Sequence, residues 1–455
     1  MKVIGIIAEY NPFHNGHAYQ INKIKNELQA DYVVVAMSGD FVQRGAPAIV
    51  DKYARAKMPL NCGADLVIEL PVLWATASAE YFAMAGVTLF DKMGCVDGIC
   101  FGAETNDLAM LSMIANTLIE EPEIYRTALS AYLKNGMTFP IARSNALCDY
   151  FKTSSFAIFA EKSYRDIYKD NKIDLNIVSS ILNEPNNILA IEYLKALQRR
   201  KSSIKPYVIK REGAGYHDSE IVMPSFVSCD NDSQDNICHL PTASATAIRK
   251  VLDKQISFTE PNTYELLADA MPAPALQVLE EYLIKNPLIY ANDFSSILGY
   301  KLLSSDTSVL TDIGDANPDI ANRFFKNRMH FSSFEQFCEQ NKTKDITYSR
   351  ISRILLHLLL NIKASDYSFG KDLDYIPYLR ILGFRKDSSA LLKELKHRST
   401  VPVISKLANA ASLLDSKTLE LLEKDIFAAD LYSQICAVKS DTVSSSEYTK
   451  NIIRI

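Results

Sequence analysis

Two histidines three residues apart, His14 and His17, have the types and spacing to do chemistry. They follow an apolar run at residues 3–7 and a turn that contains proline, and helical patterning continues over residues 18–28. This order predicts a buried strand, a tight turn and a helix N-terminus, whose free N–H groups and dipole suit a phosphate. The imidazoles could donate hydrogen bonds to phosphate oxygens and become charged as negative charge develops. The alternative is a capped helix whose histidines merely complete hydrogen bonds.

A second predicted helix start carries Ser244, Thr246 and Arg249. Its hydroxyl groups can cap free N–H groups, so by itself the segment is an ordinary helix N-cap. The same helix start can also hold a phosphate, with the guanidinium of Arg249 supplying a forked cation. Combined with the histidine pair, it predicts a second phosphate-binding element.

The elements that must position these side chains alternate between strand and helix over the first ~100 residues, as in parallel sheets with crossover helices. Short apolar runs predict buried strands at 3–7, 32–37, 66–70 and 98–101, with a last strand at 205–210. Amphipathic stretches at 21–28, 52–61 and 77–92 predict the helices between them. Ligands of such sheets bind beyond the carboxyl ends of the strands, where residues 8–17, 37–39 and 101–102 should converge.

The predicted fold is an α/β, Rossmann-like domain with a parallel sheet, followed by a mainly α-helical C-terminal domain. The first domain should cover residues 1–254, with a helical insertion at about 107–200, and the second residues 255–455. From residue 245 onward the patterns are almost entirely helical. The chain contains no GxGxxG, so a dinucleotide-binding fold is not indicated.

The spacing His14-x-Gly16-His17 is the HxGH signature of the nucleotidylyltransferase superfamily. Its surroundings, residues 9–17, resemble the tRNA(Met) cytidine acetate ligase family closely. Further resemblance to that family, in the same order along the chain, is found at residues 37–45, 65–71, 101–102, 185–189 and 244–250, and more weakly at 350–360 and 378–384. One residue departs from the family pattern, because Ala247 stands where a serine is expected.

The resemblance implies a ligase that uses ATP to activate acetate as acetyl-adenylate. The acetyl group would then pass to N4 of the wobble cytidine of elongator tRNA(Met), forming N4-acetylcytidine. Catalysis would rest on His14, His17 and Arg249. The implied ATP-binding residues lie in the first strand and its turn, after later strands and at the second helix start: Ile7, Ala8, Glu9, Tyr10, Asn11, Pro12, Phe13, His14, Asn15, Gly16, His17, Ala18, Tyr19, Gln20, Gly102, Asn186, Arg211, Glu212, Ser244 and Thr246.

The distribution of charge bears on RNA binding. The chain has a net charge of −5, yet residues 321–400 hold 15 Lys and Arg against 8 Asp and Glu. This basic segment could hold a tRNA locally, although solvated helix faces explain it equally well. The candidate tRNA-binding residues are Arg350, Arg353, His357, Arg380, Arg385 and Lys386, the first three on one predicted polar helix face. Nearer the turn, Lys52, Arg55 and Lys57 resemble a solvated helix face, and the loop containing Arg44 is expected at the rim of the site.

Composition narrows the class of protein further. The N-terminal residues do not resemble a signal peptide, and no apolar run approaches the ~18 residues of a membrane span. Eight scattered cysteines without a CxxC pair indicate reduced thiols in a cytoplasmic protein. Cys229, Cys238 and His239 match no common zinc site, so no metal ligand is assigned. Mg²⁺ is expected only as the companion of ATP, held mostly by phosphates and water. Neither a membrane nor DNA is expected as a partner.

Two other classes of function remain open. A small-molecule nucleotidylyltransferase would share both phosphate-binding motifs but would not need ~200 further residues of helical, partly basic chain. A non-catalytic RNA-binding protein could retain a relic nucleotide site, but the intact His14, His17, Thr246 and Arg249 argue against it.

Overall fold

A central sheet carries the elements that lead to the turn at residues 9–14. The computed structural model of the chain describes residues 1–153, 156, 175–211, 244–254 and 261–455. Eight of its strands form one sheet in the order β10-β8-β5-β2-β1-β6-β7, with β9 beside β8, and β3 and β4 form a separate hairpin. The strands are Val3–Ala8 (β1), Tyr32–Ser38 (β2), Phe41–Val42 (β3), Ala46–Pro47 (β4), Leu66–Leu70 (β5), Gly98–Ala103 (β6), Lys205–Lys210 (β7), Leu379–Phe384 (β8), Val403–Ile404 (β9) and Ile453–Arg454 (β10).

The five strands predicted from the sequence are confirmed, and they pair in parallel. In the β1–β2 pair, Val3 lies opposite Tyr32 and Ala8 lies opposite Met37. β2 pairs with β5, β1 with β6 and β6 with β7, all in parallel. Because both faces of β1, β2 and β5 are covered, their side chains are mainly apolar and buried, as parallel strands require.

Helices cover both faces of the sheet and form most of the rest of the chain. One face packs on helices that include Asn15–Asn26 and Lys52–Asn61, and the other on helices that include Ala79–Met93 and Pro185–Arg199. The other helices among the described residues up to 283 are Val72–Ala75, Leu108–Glu120, Glu123–Lys134, Phe139–Phe151, Leu175–Asn183, Ala245–Lys254, Pro261–Ala270 and Ala273–Leu283. Within the predicted insertion at about 107–200, the described residues are mainly helical.

The C-terminal part of the described chain is mainly helical. Its α-helices are Ser295–Ser304, Thr307–Thr311, Pro318–Asn327, Phe334–Asn341, Tyr348–Leu360, Ala364–Asp372, Ser389–Arg398, Ala410–Leu413 and Ser416–Ser440. Short 3₁₀ helices occur at Ala291–Phe294, Arg328–His330, Lys386–Ser388, Leu407–Asn409 and Glu447–Thr449. None of the described helices is long and apolar enough to cross a membrane.

Strands from the C-terminal part complete the sheet, a feature that the helical patterning did not predict. β8 pairs antiparallel with β5, and a register shift interrupts the pair between Val67 and Ile68. β10 then pairs in parallel with β8, through Ile453 and Arg454. The predicted division at residues 254 and 255 therefore does not separate two sheets, because residues from both sides of it share this one.

A buried cluster of charges fastens the C-terminal tail to the sheet. Lys52 Nζ lies 2.8 Å from Glu69 Oε1 and 2.7 Å from Glu447 Oε1. Arg380 Nη1 lies 2.8 Å from Glu69 Oε2, and Nη2 pairs with Glu447. Tyr53 donates a hydrogen bond of 2.8 Å to the same Glu447 oxygen. The expectation that Arg380 contacts tRNA is therefore wrong, because its side chain is only 4% exposed and its charge is neutralised internally. Lys52 is likewise buried rather than part of a solvated face.

His357 also occupies a different environment from the one predicted. The helix Tyr348–Leu360 buries Ile351, Ile354 and Leu355, as its pattern indicates. His357 is also buried, with Nδ1 2.9 Å from the carbonyl oxygen of Gly314 and Nε2 3.1 Å from that of Thr76. The prediction that His357 contacts RNA is wrong, because both ring nitrogens are used inside the protein.

Candidate active site

A cleft of about 1330 Å³ opens at the carboxyl ends of β1, β6 and β7. It collects the first turn, the second helix start and the segments after β6 and β7, as the strand order predicts. The predicted residues that line it are Ile7, Ala8, Glu9, Tyr10, Asn11, His14, Asn15, Gly16, His17, Ala18, Tyr19, Gln20, Gly102, Asn186, Arg211, Ser244, Thr246 and Arg249. Pro12 and Phe13 are buried beneath the turn instead, and Glu212 lies outside the described residues.

His14 and His17 cap the helix Asn15–Asn26 reciprocally. His14 Nδ1 accepts a 3.1 Å hydrogen bond from the backbone N–H of Gly16, and His17 Nδ1 accepts one of 3.2 Å from the backbone N–H of His14. The two rings stack with centroids 3.7 Å apart, and Tyr10 packs edge-on against His17. The capping alternative and the phosphate-binding prediction are therefore both compatible with the same geometry.

This capping fixes the chemical form of the two imidazoles. Because each Nδ1 accepts a hydrogen bond from a backbone N–H, each neutral ring must carry its own proton on Nε2. Burial, followed by the charges of Arg211 and Arg249, lowers the pKa of His14 to about 3. Burial, followed by His14 and Arg211, holds the pKa of His17 well below its usual range. The pair therefore offers two neutral Nε2–H donors rather than two cations.

The second helix start is built as the sequence predicts. Ser244 Oγ accepts a 3.1 Å hydrogen bond from the backbone N–H of Ala247, so the serine absent at position 247 is not needed for this cap. Arg249 Nη1 donates to the carbonyl oxygen of Asn11 at 2.7 Å, and Nη2 donates to Thr246 Oγ1 at 3.0 Å. Burial, followed by Arg44, lowers the pKa of Arg249 to about 10, so it remains a cation at neutral pH. Arg249 thus joins the two helix starts.

The opposite wall of the cleft comes from β6 and the segments beside it. A Cβ added to Gly102 would lie 3.3 Å from Arg211 Cγ, so the glycine lets the arginine side chain cross the end of the strand. Arg211 donates its backbone N–H to the carbonyl oxygen of Ala103 at 2.8 Å. Asn186 Nδ2 donates to Glu104 Oε1 at 2.6 Å. These contacts place the side chains of Asn186 and Arg211 near Gly102, which has no side chain of its own. A nucleotide could therefore approach the backbone closely there.

Arg55 has a structural role in this site that its sequence context did not suggest. The buried guanidinium donates through Nη1 to the carbonyl oxygens of Glu9 at 2.6 Å and Ser38 at 3.2 Å. Nη2 donates to the carbonyl oxygen of Gly39. Arg55 therefore holds the ends of β1 and β2 together under the turn, whereas Lys57 is partly exposed and pairs with Glu281.

Several lining residues were missed by the sequence reasoning, although Phe101, expected at this end of the sheet, does line the cleft. Phe82 and Tyr193 add further aromatic rings, and Tyr290 and Glu335 approach from the C-terminal part. Phe82 and Tyr193 occur in runs that indicate only buried helices. The other two are separated from the turn by hundreds of residues, so no local pattern could place them in the cleft. Arg44, predicted at the rim, does line the cleft.

The remaining tRNA-binding candidates lie outside the residues that line the cleft. Arg353 pairs with Asp315 at 2.6 Å, and Arg350 donates to the carbonyl oxygen of Asp315. Arg385 is partly exposed and pairs with Asp387, whereas Lys386 is exposed. Their contact with RNA stays a prediction.

No group of three or more His, Cys, Asp or Glu side chains that could hold a metal ion occurs among the described residues. Cys229, Cys238 and His239 fall outside that part of the chain.

Comparisons with known proteins identify the family to which this chain belongs. Residues 1–447 match the family model of the HIGH nucleotidyl transferases. The chain is 38% identical over 434 residues to the tRNA(Met) cytidine acetate ligase of Clostridium perfringens, covering 95% of each chain. It is 37% identical over 457 residues to the ligase of the same name from Thermoanaerobacter sp., covering 100% of each.

A solved structure shows the same fold over the whole chain. TmcAL of Thermotoga maritima bound with alpha-thio ATP superposes with a TM-score of 0.83 at 27% identity, and its apo form with 0.84 at 28%. Both comparisons cover 100% of each chain. The protein therefore belongs to the tRNA(Met) cytidine acetate ligase family of HIGH nucleotidyl transferases.

Proposed function

We propose that this protein acetylates N4 of the wobble cytidine of elongator tRNA(Met), using ATP and acetate. The observation that carries this proposal is the cleft in which His14, His17 and Arg249 converge from two helix starts, in a chain that matches these ligases over its full length. The reaction has two steps. Acetate attacks the α-phosphorus of ATP and expels pyrophosphate, and the amine of cytidine then attacks the acetyl carbonyl and releases AMP.

The protein's contribution to the first step is positioning and charge stabilisation. Oxygens on the α-phosphorus and on the departing pyrophosphate gain negative charge in the transition state. The Nε2–H groups of His14 and His17 would donate to these oxygens, and Arg249 would supply a fixed positive charge. Because all three are held by hydrogen bonds before the ligand arrives, little reorganisation is required.

The nucleoside would lie along the opposite wall, beside Gly102, Asn186 and Arg211. Mg²⁺ would enter with the triphosphate, since phosphates and water are its usual ligands in such sites. For tRNA we retain Arg350, Arg353, Arg385 and Lys386 as candidate contacts. We propose a cytoplasmic location, because tRNA and ATP would be its substrates.

The first experiment measures pyrophosphate release from ATP with purified protein and acetate, with and without methionine tRNA, followed by nucleoside analysis of the tRNA. Acetylcytidine that appears only with ATP and acetate supports the proposal. ATP cleavage without a modified base would favour a small-molecule nucleotidylyltransferase. Absence of ATP cleavage with every acid tested would favour a non-catalytic RNA-binding protein.

A further inference from the structure

A carboxylate at the end of β6 fixes the orientation of one amide that lines the cleft. Glu104 directly follows β6, and its Oε1 accepts a 2.6 Å hydrogen bond from Asn186 Nδ2. Its Oε2 accepts one of 2.9 Å from the backbone N–H of Asn187. In return, Asn187 Oδ1 accepts hydrogen bonds from the backbone N–H groups of Glu104, at 3.0 Å, and Thr105, at 3.1 Å. These reciprocal bonds join the end of β6 to the start of the helix Pro185–Arg199.

The bonds decide which atom of the Asn186 amide is left for a ligand. An ionised carboxylate only accepts hydrogen bonds, so the amide must turn its NH2 group toward Glu104. None of the described residues donates to Asn186 Oδ1. Asn186 lines the cleft, whereas Glu104 does not. The amide therefore offers the cleft a hydrogen-bond acceptor, and the carboxylate acts from behind it.

The surroundings of Asn186 suit a flat base rather than a phosphate. Asn186, Leu189 and Tyr193 are spaced three and four residues apart on one helix, so they share a face, and all three line the cleft. Phe101 packs against Tyr193, with ring centroids 5.5 Å apart. The apolar strip thus ends at an uncharged polar group, an arrangement in which a site can hold a ring and recognise its edge.

We propose that Glu104 is a positioning residue that makes the nucleotide site prefer adenine. The inference rests on the proposed function, in which the ATP nucleoside lies beside Gly102 and Asn186. Adenine carries an amino group at position 6, which can donate to Asn186 Oδ1, whereas guanine carries an oxygen there. A base with an oxygen at position 6 would meet Oδ1 as a second acceptor, and neither oxygen would gain a hydrogen bond.

Glu104→Gln tests the proposal by reversing the Asn186 amide. The backbone N–H of Asn187 can only donate, so the oxygen of the new side-chain amide should remain on it. The new NH2 group then faces Asn186, which must accept through Oδ1 and present its own NH2 group to the base. The substitution conserves size and shape, but the altered site should favour a base with an oxygen at position 6.

The measurement compares ATP with ITP, which has an oxygen at position 6 and lacks the 2-amino group of GTP. Titration calorimetry gives the ratio of their dissociation constants, and acetate-dependent exchange of pyrophosphate into each gives the ratio of their kcat/KM values. We expect wild type to prefer ATP and Glu104→Gln to lower this preference at least about tenfold, as for one base contact. Because both nucleotides are measured on the same protein, a smaller amount of folded enzyme does not change the ratios.

Asn186→Ala shows whether Glu104 acts through the amide. This variant should also lose preference for ATP, and adding Glu104→Gln to it should change the ratios by less than about threefold, because the group being oriented is gone. Glu184→Gln is the matched control, since Glu184 precedes the same helix but its side chain makes no capping hydrogen bond. Its ratios should equal those of wild type.

Several outcomes would overturn the proposal. One is a wild type that binds ITP as tightly as ATP, and another is a fall of less than about tenfold in Glu104→Gln. An equal fall in Glu184→Gln would show that loss of charge is sufficient, and a further fall in the double variant would show that Glu104 acts by another route. The proposed function fails separately, if wild type binds ATP but shows no acetate-dependent exchange, and calorimetry still measures the base preference in that case.

Discussion

The two ring nitrogen atoms of His17 have different roles, and substitutions can remove one role without the other. Nδ1 caps the helix by accepting the N–H of His14, whereas Nε2–H faces the proposed phosphate. Asparagine at position 17 can keep an acceptor near Nδ1 but has no donor near Nε2. Glutamine can place an N–H near Nε2 but loses the cap. Alanine loses both functions, together with the ring contacts to His14 and Tyr10.

Each loss has an expected size. Removing one donor to a developing oxyanion costs on the order of 10²–10³ in rate, or about 2.7–4 kcal/mol. Removing a helix cap costs about 1 kcal/mol of stability. We therefore expect His17→Asn to unfold within about 1 kcal/mol of wild type while losing on the order of 10²–10³ in rate. His17→Gln should be less stable than His17→Asn but more active, and His17→Ala should be impaired in both respects.

Acetate-dependent exchange of pyrophosphate into ATP measures the rate, and urea unfolding measures the stability of each variant. Exchange isolates the first step, so defects in tRNA binding do not enter. A His17→Asn variant that exchanges within about threefold of wild type would refute the assignment of Nε2–H to the phosphate, because the predicted loss is at least about a hundredfold.

Three further predictions concern stability. Burial lowers the folded pKa of His14 to about 3, so below about pH 6.5 the unfolded chain takes up a proton that the folded protein does not. As the pH is lowered below this value, the free energy of unfolding should fall by about 1.4 kcal/mol per pH unit for this group. The fall should be less steep in His14→Asn. Burial opposes ionisation of Glu447, but Lys52 and Arg380 lower its pKa to about 2; urea unfolding of Glu447→Gln at neutral pH should show a loss of about 3–5 kcal/mol, and a loss below 1 kcal/mol would contradict the buried cluster. Gly45 has a φ of 79°, and an added Cβ would lie 2.3 Å from a backbone nitrogen of the helix Tyr348–Leu360. Gly136 has a similar φ of 78°, but its added Cβ would meet nothing within 4 Å. Gly45→Ala should therefore lower the melting temperature more than Gly136→Ala.

The sequence predicts the first half of the molecule well because its signals are local. Each strand of the parallel core is a short apolar run, and the helix starts carry their own caps. β8 is different, since a six-residue, largely apolar segment that includes Arg380, within helical surroundings, is ambiguous between strand and helix. Only its pairing with β5 decides the matter, and β5 lies some three hundred residues earlier in the chain.

Charged residues show the same limit within the site. The spacing of Lys52 and Arg55 is typical of a solvated helix face, and nothing nearby indicates their burial. Lys52 is stabilised by Glu447, and Arg55 by carbonyl groups at the ends of two strands. The partners become neighbours only when the chain has folded, so local charge patterns cannot identify them.

The late strands also have a consequence for synthesis on the ribosome. When residues 1–254 have emerged, β5 still lacks its neighbour β8, and its edge of backbone N–H and C=O groups is unpaired. Glu447, one anionic partner of Lys52, is synthesised long after Lys52 itself. The nascent chain must therefore carry an incomplete sheet until β8 and β10 leave the exit tunnel, a period in which an exposed edge favours chaperone binding or misassembly.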